Sequence, residues 1–549
     1  MIAVSASHIT VAHASRAVFT GLDCEIHDDR VVGLVGPNGC GKTTLLRVLA
    51  GEIRPKEGTI SVRSDLSIGH LTQDVTLDPD LTTFEAARAE STELAEIEQA
   101  LARVERRLTD SSVYDDEGAL ARTLAEQEEL LEQFEHLGGP GIETRIRATL
   151  HALGFREGDL EKRIDTLSGG QRKLVGLAAQ TVRRPDLLLL DEPDNHLDLK
   201  GKRHLEQFLR DYDGGVVLVS HDRYLLDLAV DEILELEGGT VRRFAGNYSE
   251  YAIVKEELRA QQEHQYADQQ KEIRRLEQSA KRLKTWGVVF DNVKFIRRAQ
   301  AIEKRIERMD KVERPHVERR MNLHLSGWRG STEMVVARDV EKSYPQSDGG
   351  PNCVLRGLDL LVRHGERVGL VGANGAGKSV LFRLILEQEK PDAGTIVIGP
   401  SVRIGYYAQQ HETLDPAKTL VDTLRFAAGI SKTKAVQTLM RFAFTYDQAR
   451  RLVGDISGGE RSRLQLALIV HSGANFLLLD EPTNNLDIAS AEVLEDALES
   501  FDGSVLAISH DRYFLDRAVE RIVELEAGRL TKYTGGYSAY AERRALPRP

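Results

Sequence analysis

GPNGCGKT, residues Gly36–Thr43, decides the reading of this chain, because it returns as GANGAGKS at Gly372–Ser379. Each copy has the form GxxxxGK[ST]; the first follows an apolar run, Val31–Val35, and opens a stretch of helical character, Thr43–Leu49. Glycines at these intervals let successive backbone N–H groups turn toward phosphate oxygens at a helix N-terminus. The candidate phosphate-binding set is therefore Gly36, Pro37, Asn38, Gly39, Cys40, Gly41, Lys42, Thr43 and Thr44 in one half of the chain. In the other it is Gly372, Ala373, Asn374, Gly375, Ala376, Gly377, Lys378, Ser379 and Val380. Lys42 and Lys378 would neutralise phosphate charge, and Thr43 and Ser379 would offer a hydroxyl to Mg²⁺. A single loop of this kind is compatible with chance or with GTP; two in register with further repeats are not.

The other repeats keep fixed intervals. Gln73, in IGHLTQ, recurs as Gln409, in IGYYAQ, at the same spacing as the phosphate loops, 336 residues. SGGQ (Ser168–Gln171) recurs as SGGE (Ser457–Glu460), LLLLDEP as FLLLDEP, and SHDRY from Ser220 recurs from Ser509, all 289 residues apart. The missing 47 residues are an insertion in the first half between Gln73 and Ser168, so the chain is a duplication with one insert. Both halves alternate short β-branched runs with helical stretches, the α/β pattern. Leu187–Leu190 and Phe476–Leu479 end in Asp-Glu pairs, which a buried strand would deliver beside a bound metal. Asp191 and Asp480 suit Mg²⁺, and Glu192 and Glu481 suit orienting the attacking water. His221 and His510, each after another apolar strand, suit a γ-phosphate contact.

Two further segments read as helical hairpins. In the insert, Leu94, Ile97, Leu101, Val104 and Leu108 step by three and four, and Leu120, Leu124, Leu131, Phe134 and Leu137 follow a polar turn. Both runs are expected to form the seam of an acidic hairpin, since residues 88–137 hold 5 Lys and Arg against 14 Asp and Glu. Between the halves, Ile273, Leu276, Ala280 and Leu283 lead to a break at Trp286–Asn292, and Ala299, Ile302, Ile306, Met309 and Val312 continue to a stop at Pro315. At 1.5 Å per residue, thirty-odd residues of helix would project its tip roughly 50 Å. Residues 271–320 hold 16 Lys and Arg against 8 Asp and Glu, so a basic segment stands on a chain of net charge −13. Lys281, Arg282, Lys284, Lys294, Arg297, Arg298, Lys304 and Arg305 cluster around the tip, suited to phosphates, with Trp286 and Phe290 placed to stack on unpaired bases. The expected domains are 1–250 with the insert at 88–137, the linker 251–325, and 332–549.

With SGGQ and SGGE 23 residues before the Asp-Glu pairs, the sequence resembles the ATP-binding cassette superfamily; two fused cassettes joined by a charged hairpin resemble its ABC-F family. The resemblance implies two P-loop ATPase cassettes in tandem, with a helical arm in the first, that hydrolyse ATP with Mg²⁺ and sandwich it head to tail within a monomer. Gly36–Thr43, Gln73, Asp191, Glu192 and His221 would face Ser457, Gly458, Gly459 and Glu460. The phosphate loop Gly372–Ser379, Gln409, Asp480, Glu481 and His510 would face Ser168, Gly169, Gly170 and Gln171. Gln73 and Gln409 would serve both metal and water, and His13 and Tyr344 would stack on adenine. The family's partners imply binding to the ribosomal E site, with the linker reaching P-site tRNA and the peptidyl-transferase centre and the arm meeting a basic ribosomal protein. Its members act as translation factors or as antibiotic-resistance factors. Three departures stand out: Asp194 where Thr is usual, Ile456 for the signature Leu, and Cys40 where Ser is common, so that alkylation of Cys40 is expected to impair the first site.

Composition narrows the alternatives. The 549 residues are 41% hydrophobic and 29% charged, a balance that can bury several cores. No apolar run approaches the roughly 18 residues needed to cross a bilayer, and the first residues lack the pattern of a secretory signal. With three cysteines, Cys24, Cys40 and Cys353, a disulfide framework, zinc pairs and iron–sulfur centres are not expected, and a cytoplasmic protein is. A DNA-repair ATPase is disfavoured on the same ground. A soluble ATPase subunit of a membrane transporter is the alternative, against which the long basic hairpin counts.

Overall fold

Runs of Val and Leu without polar alternation suit strands buried on both faces, the mark of a parallel sheet. The computed structural model forms them so: Val31–Val35, Leu187–Asp191 and Gly215–Val219 are buried along their whole length. It describes residues 1–13, 16–89, 92–109, 117–136, 139, 141–309, 321, 323, 325, 328, 330–345, 351–409 and 414–545. In the first cassette a six-stranded sheet runs in the order Ile68–Leu71, Leu187–Asp191, Gly215–Val219, Val31–Val35, Glu232–Glu237 and Thr240–Ala245. The first five are parallel and the last antiparallel. The second cassette repeats this order with Ile404–Tyr407, Phe476–Asp480, Ser504–Ile508, Arg367–Val371, Arg521–Glu526 and Arg529–Thr534. Four of the parallel strands in each sheet carry a motif just past the C-terminal end, where parallel α/β sheets bind ligands. Topology alone thus gathers the phosphate loop, Gln, Asp-Glu and His motifs at one edge.

A three-stranded antiparallel sheet packs on each cassette: Arg16–His27, Ile2–His13 and Glu57–Val62 in the first, and Pro351–Arg363, Glu333–Pro345 and Ala393–Ile398 in the second. In the first cassette both sheets share a core with the helix Lys42–Leu49, in which Leu46, Val48, Leu187 and Leu189 are fully buried. Each side chain so buried contributes about 2 kcal/mol. His8 and Asp339 take the same left-handed φ of 49° at matching bulges, so His13 and Tyr344 occupy equivalent strand positions.

The insert forms two helices, Thr92–Leu108 and Glu117–His136. Its seam keeps the expected stripe in the first helix, where Val104 is buried and Ile97, Leu101 and Leu108 are half-buried, and departs from it in the second. Val104 and Thr123 are buried, whereas Leu124 and Leu131 are 47% and 44% exposed, and Leu120, Leu130 and Phe134 are half-buried. A helix turns about 100° per residue, so the face centred on Thr123 cannot also hold Leu124. Leu137 lies outside the described residues.

Residues 248–320 form a compact unit of their own, apart from the one that unites 1–247 with 321–549. Its first helix, Tyr248–Val289, is 42 residues long, about 63 Å. It runs through Trp286 and Gly287, where a break was expected; one glycine costs about 1 kcal/mol, too little to end so long a helix. The turn is Phe290–Asn292, and the Asn292 side chain accepts from Lys294 N at 3.0 Å to cap Val293–Arg308. The stop expected at Pro315 lies outside the described residues. Lys284 pairs with Glu303 at 2.7 Å and Arg305 with Glu272 at 3.2 Å between the two helices, and Trp286 meets Phe295 edge to face. Among the described residues no helix is long and apolar enough to cross a membrane.

Candidate active sites

The phosphate loops are built around positions that exclude a side chain. A Cβ on Gly36 would lie 2.3 Å from the Leu236 carbonyl oxygen, and on Gly372 2.5 Å from that of Leu525. Each loop is thereby pressed onto the neighbouring strand end. Lys42 Nζ donates to the Gly36 carbonyl at 2.7 Å, and Lys378 Nζ to that of Gly372 at 2.7 Å, so both ammonium groups sit inside their loops. Cys40 is half-buried behind its loop against the first core, and burial pushes its thiol up.

The carboxylates sit where the sheet delivers them. Asp191 is buried with Thr43 hydrogen-bonded to it and its Oδ2 left without a partner; burial pushes its carboxyl above the usual range. Ser379 Oγ donates to Asp480 Oδ2 at 3.3 Å. A hydroxyl beside a buried, under-satisfied carboxylate suits a hard cation that completes its shell with water and phosphate, as Mg²⁺ does. Among the described residues no group of three or more His, Cys, Asp or Glu could hold a metal unaided.

Glu192 and Glu481 both take φ of 50°, a left-handed backbone that turns each carboxylate off its strand end. Gln73 Nε2 donates to Glu192 Oε2 at 3.0 Å, and His221 Nε2 lies 3.5 Å from Oε1. Burial acts to raise the Glu192 carboxyl, but the His221 contact and the charges of His221, Lys173 and Lys42 outweigh it and hold it below the usual range. In the second site His510 N donates to Glu481 Oε2 at 3.2 Å and His510 Nε2 lies 3.4 Å from Oε1. There burial wins: Glu481 is pushed up to about 7, and His510 is driven well below the ordinary imidazole range by burial and by Lys378 and Lys202.

The signature segments begin helices. Ser168 caps Gly169–Thr181 and Ser457 caps Gly458–Ser472, each in a reciprocal bond with Gln171 or Glu460 three residues on. Each cassette's phosphate loop then touches the other cassette. Asn38 Nδ2 donates to the Asn485 carbonyl at 3.2 Å, and Asn374 Nδ2 to that of His196 at 2.9 Å. A Cβ on Gly459 would lie 3.1 Å from Asn38 Nδ2. One cavity of about 1130 Å³ is lined by Gly39, Lys42, Thr44, Gln73, Glu192 and His221 from the first half and by Ser457, Gly458 and Glu460 from the second. It extends to Ser168, Gly170, Glu481 and His510, and beside it a space of about 460 Å³ is lined by Tyr344, Gly375, Lys378, Val380 and Gln409. The Tyr344 hydroxyl is bonded to Glu389, and the His13 side chain lies outside the described residues.

Sequence reasoning missed several neighbours. Asn195 donates to Glu192, and Asp198 and Asp487 accept from Asn374 N and Asn38 N at 3.4 Å. The paired segments PDNHLD and PTNNLD carried that signal. Lys202 Nζ reaches Asp222 Oδ2 at 2.8 Å inside the protein, and Ser220 Oγ donates to Asp194 at 2.8 Å, so the aspartate that replaces the usual Thr is buried among polar partners.

Two loop-and-strand cassettes that each close on the other's signature define an ATPase of the ATP-binding cassette class. Comparison with known proteins agrees: a family described as ABC transporter matches residues 19–195 and 355–484, and a second model of that description matches 234–325. The chain is 34% identical over 547 residues to the "Putative ATP-binding protein YdiF" of Bacillus subtilis, covering 99% of this chain and 83% of that one. It is 33% identical to "ABC transporter F family member 5" of Arabidopsis thaliana (98% and 77%) and 34% identical to the "Energy-dependent translational throttle protein EttA" of Escherichia coli K12 (97% and 94%). The chain belongs to the ABC-F family, and it binds and hydrolyses ATP. Its fold is also that of an archaeal ribosome recycling factor solved with a ribosomal stalk protein, at TM-score 0.59 and 19% identity, covering 98% of this chain and 92% of that one.

Proposed function

We propose that this protein is a ribosome-bound factor whose ATP-driven cassette closure carries the basic hairpin into the translating machine. The hairpin tip is the observation behind this reading. Trp286, Val288, Val289, Phe290 and Val293 are all exposed there, from 48% to 77%, beside Lys294, Arg297 and Arg298. An apolar tip on a cationic shaft suits a wedge against stacked bases with its flanks on phosphates. EttA, a relative over nearly the whole chain, is named a translational throttle. The hairpin would lie toward P-site tRNA and the peptidyl-transferase centre from the E site, and the acidic arm would meet a basic ribosomal protein. Modulation of translation and protection from ribosome-targeting antibiotics are both uses of such a wedge.

At each site the phosphate loop and its lysine hold the phosphates, and the opposite signature serine and glycines close the cage. Thr43 with Asp191, and Ser379 with Asp480, would hold Mg²⁺, with Gln73 and Gln409 beside them; the ion supplies charge neutralisation at the phosphates. Glu192 and Glu481 take the proton of the attacking water, and His221 and His510 fix the γ-phosphate and the Glu together. His13 and Tyr344 would face the adenine.

The test replaces both glutamates. Loss of a general base lowers turnover by roughly 10²–10⁴-fold while leaving ATP binding intact. Glu192→Gln/Glu481→Gln protein with ATP should pellet with ribosomes through sucrose, and the ATP-free protein should not. Ribosome-free supernatant in both cases would remove the proposal.

A further inference from the structure

The repeated SHDRY segment contains more than its histidine. Ser220 Oγ accepts from Asp222 N at 2.9 Å, and Asp222 then caps the helix Arg223–Ala229; Ser509 and Asp511 do the same for Arg512–Ala518. The arginine that opens each helix crosses to the other cassette. Arg223 Nη1 donates to Glu495 Oε2 at 3.2 Å, its Nη2 bonds the other oxygen, and its guanidinium lies 4.8 Å over the Tyr513 ring. Arg512 bonds Glu206 and lies 4.3 Å over the Tyr224 ring. All three partners repeat at the 289-residue interval, so this is one contact made twice about the cassette interface. Arg512 is 2% exposed and Glu495 is 0% exposed.

We propose that Arg223 and Arg512 are positioning residues that tie each switch histidine to the opposite cassette, so that a site is aligned for hydrolysis only while the cassettes are closed. Each histidine sits two residues before its arginine on a turn held at both ends. At one end is its own glutamate, 3.5 Å from His221 and 3.4 Å from His510. At the other is a buried ion pair stacked on an aromatic face, forked at Arg223 and made through a single nitrogen at Arg512, with a planar guanidinium that lysine does not reproduce. The members of each pair stand on opposite cassettes, so the pairs form only when the two faces meet. When the faces part, each turn loses its outer anchor, and the histidine is no longer fixed over the phosphate. The inference rests on the histidine role given under Proposed function.

The experiment is a cycle on the full chain, read as steady-state ATP hydrolysis and equilibrium ATP binding. Arg223→Gln/Arg512→Gln and Glu206→Gln/Glu495→Gln should each lower kcat about ten-fold with KM within about two-fold, the pattern of a lost transition-state interaction. Because they remove the same contact, all four changes together should also cost about ten-fold rather than about a hundred-fold. Unchanged kcat in the arginine pair, multiplicative losses, or ATP binding that falls in step with kcat, as packing damage would cause, each overturns the proposal. His221→Ala/His510→Ala in the same assay separates the two readings. A kcat lowered there but untouched in the arginine pair removes the tether alone; a kcat untouched in the histidine pair removes the switch and the tether with it.

Discussion

Gly36 and Gly39 stand three residues apart in one loop, yet a methyl group should have different consequences at each. At Gly36 it would lie 2.3 Å from the Leu236 carbonyl, which belongs to a strand end and cannot yield. At Gly39 it meets nothing within 4 Å, and only the φ of +78° resists it, a cost of about 1–2 kcal/mol. Gly36→Ala should therefore weaken binding of a fluorescent ATP analogue at the first site at least about ten-fold, and Gly39→Ala by less, on the free-energy scale of about 1.4 kcal/mol per decade. Equal losses would mean that strain, not contact, governs the loop. Cys40 qualifies an expectation from sequence. Its thiol is half-buried and pushed up by burial, so little thiolate exists at neutral pH, and the fraction grows as pH rises toward the raised pKa. Alkylation of Cys40 and the resulting loss of ATP binding should be slow at pH 7 and accelerate steadily above pH 8, followed by mass spectrometry; a rate independent of pH would contradict this. The candidate site pairs were legible as repeats. What the sequence left hidden was long-range: Lys202 and Ser462 stand where the duplicate has Ala491 and Lys173, but nothing in their spacing says that Lys202 reaches Asp222 inside the protein or that Lys173 helps hold Glu192 below the usual range.

Elements were legible where periodicity is strong and ambiguous where helices pair. Both hairpins were read from steps of three and four; the first helix of the arm keeps its expected face at Val104, whereas the second is centred on Thr123 rather than on Leu124 and Leu131. Leucines alone do not fix a helix face, because a solvent-facing leucine is common and a threonine can be buried by bonding its own helix; Thr123 Oγ1 donates to the Ala119 carbonyl at 2.9 Å. Arg107 strengthens that seam by reaching Glu126 at 2.8 Å on the facing helix. Val104→Ala should destabilise the arm by roughly 1–3 kcal/mol, read as faster amide hydrogen exchange across Glu117–His136, whereas Leu131→Ala should leave exchange there unchanged. Equal effects would restore the leucine stripe as the seam. The linker teaches the complementary lesson. Gly287 and the Asn of the tip suggested one broad break, but helix propensity is a weak force against a continuous 42-residue run, and only the Asn292 cap sets where the second helix starts.

At the scale of the whole molecule, duplication made the architecture readable: intervals of 336 and 289 residues give two copies, and the family signature pairs them. The chemistry of the pairing was not readable, because residues that cross the interface, among them Asn38, Asn374, Arg223 and Arg512, find partners 178 to 447 positions away. Charge is the other property of the whole. A chain of net charge −13 has an excess of Lys and Arg in 271–320, so attraction to the proposed RNA surface would centre on that segment. Ribosome binding in the presence of ATP should then weaken as salt is raised, with a slope set by the phosphates that segment contacts. Arg297→Gln/Arg298→Gln, removing two cations near the tip, should flatten the plot of log affinity against log salt by about one to two units. Phe290→Ala removes a 68% exposed ring and no charge, so it should lower affinity at every salt concentration by a constant factor and leave the slope alone. A slope untouched by the arginine changes, together with an affinity untouched by Phe290→Ala, would place the RNA contact elsewhere on the molecule and remove the hairpin from the proposed mechanism.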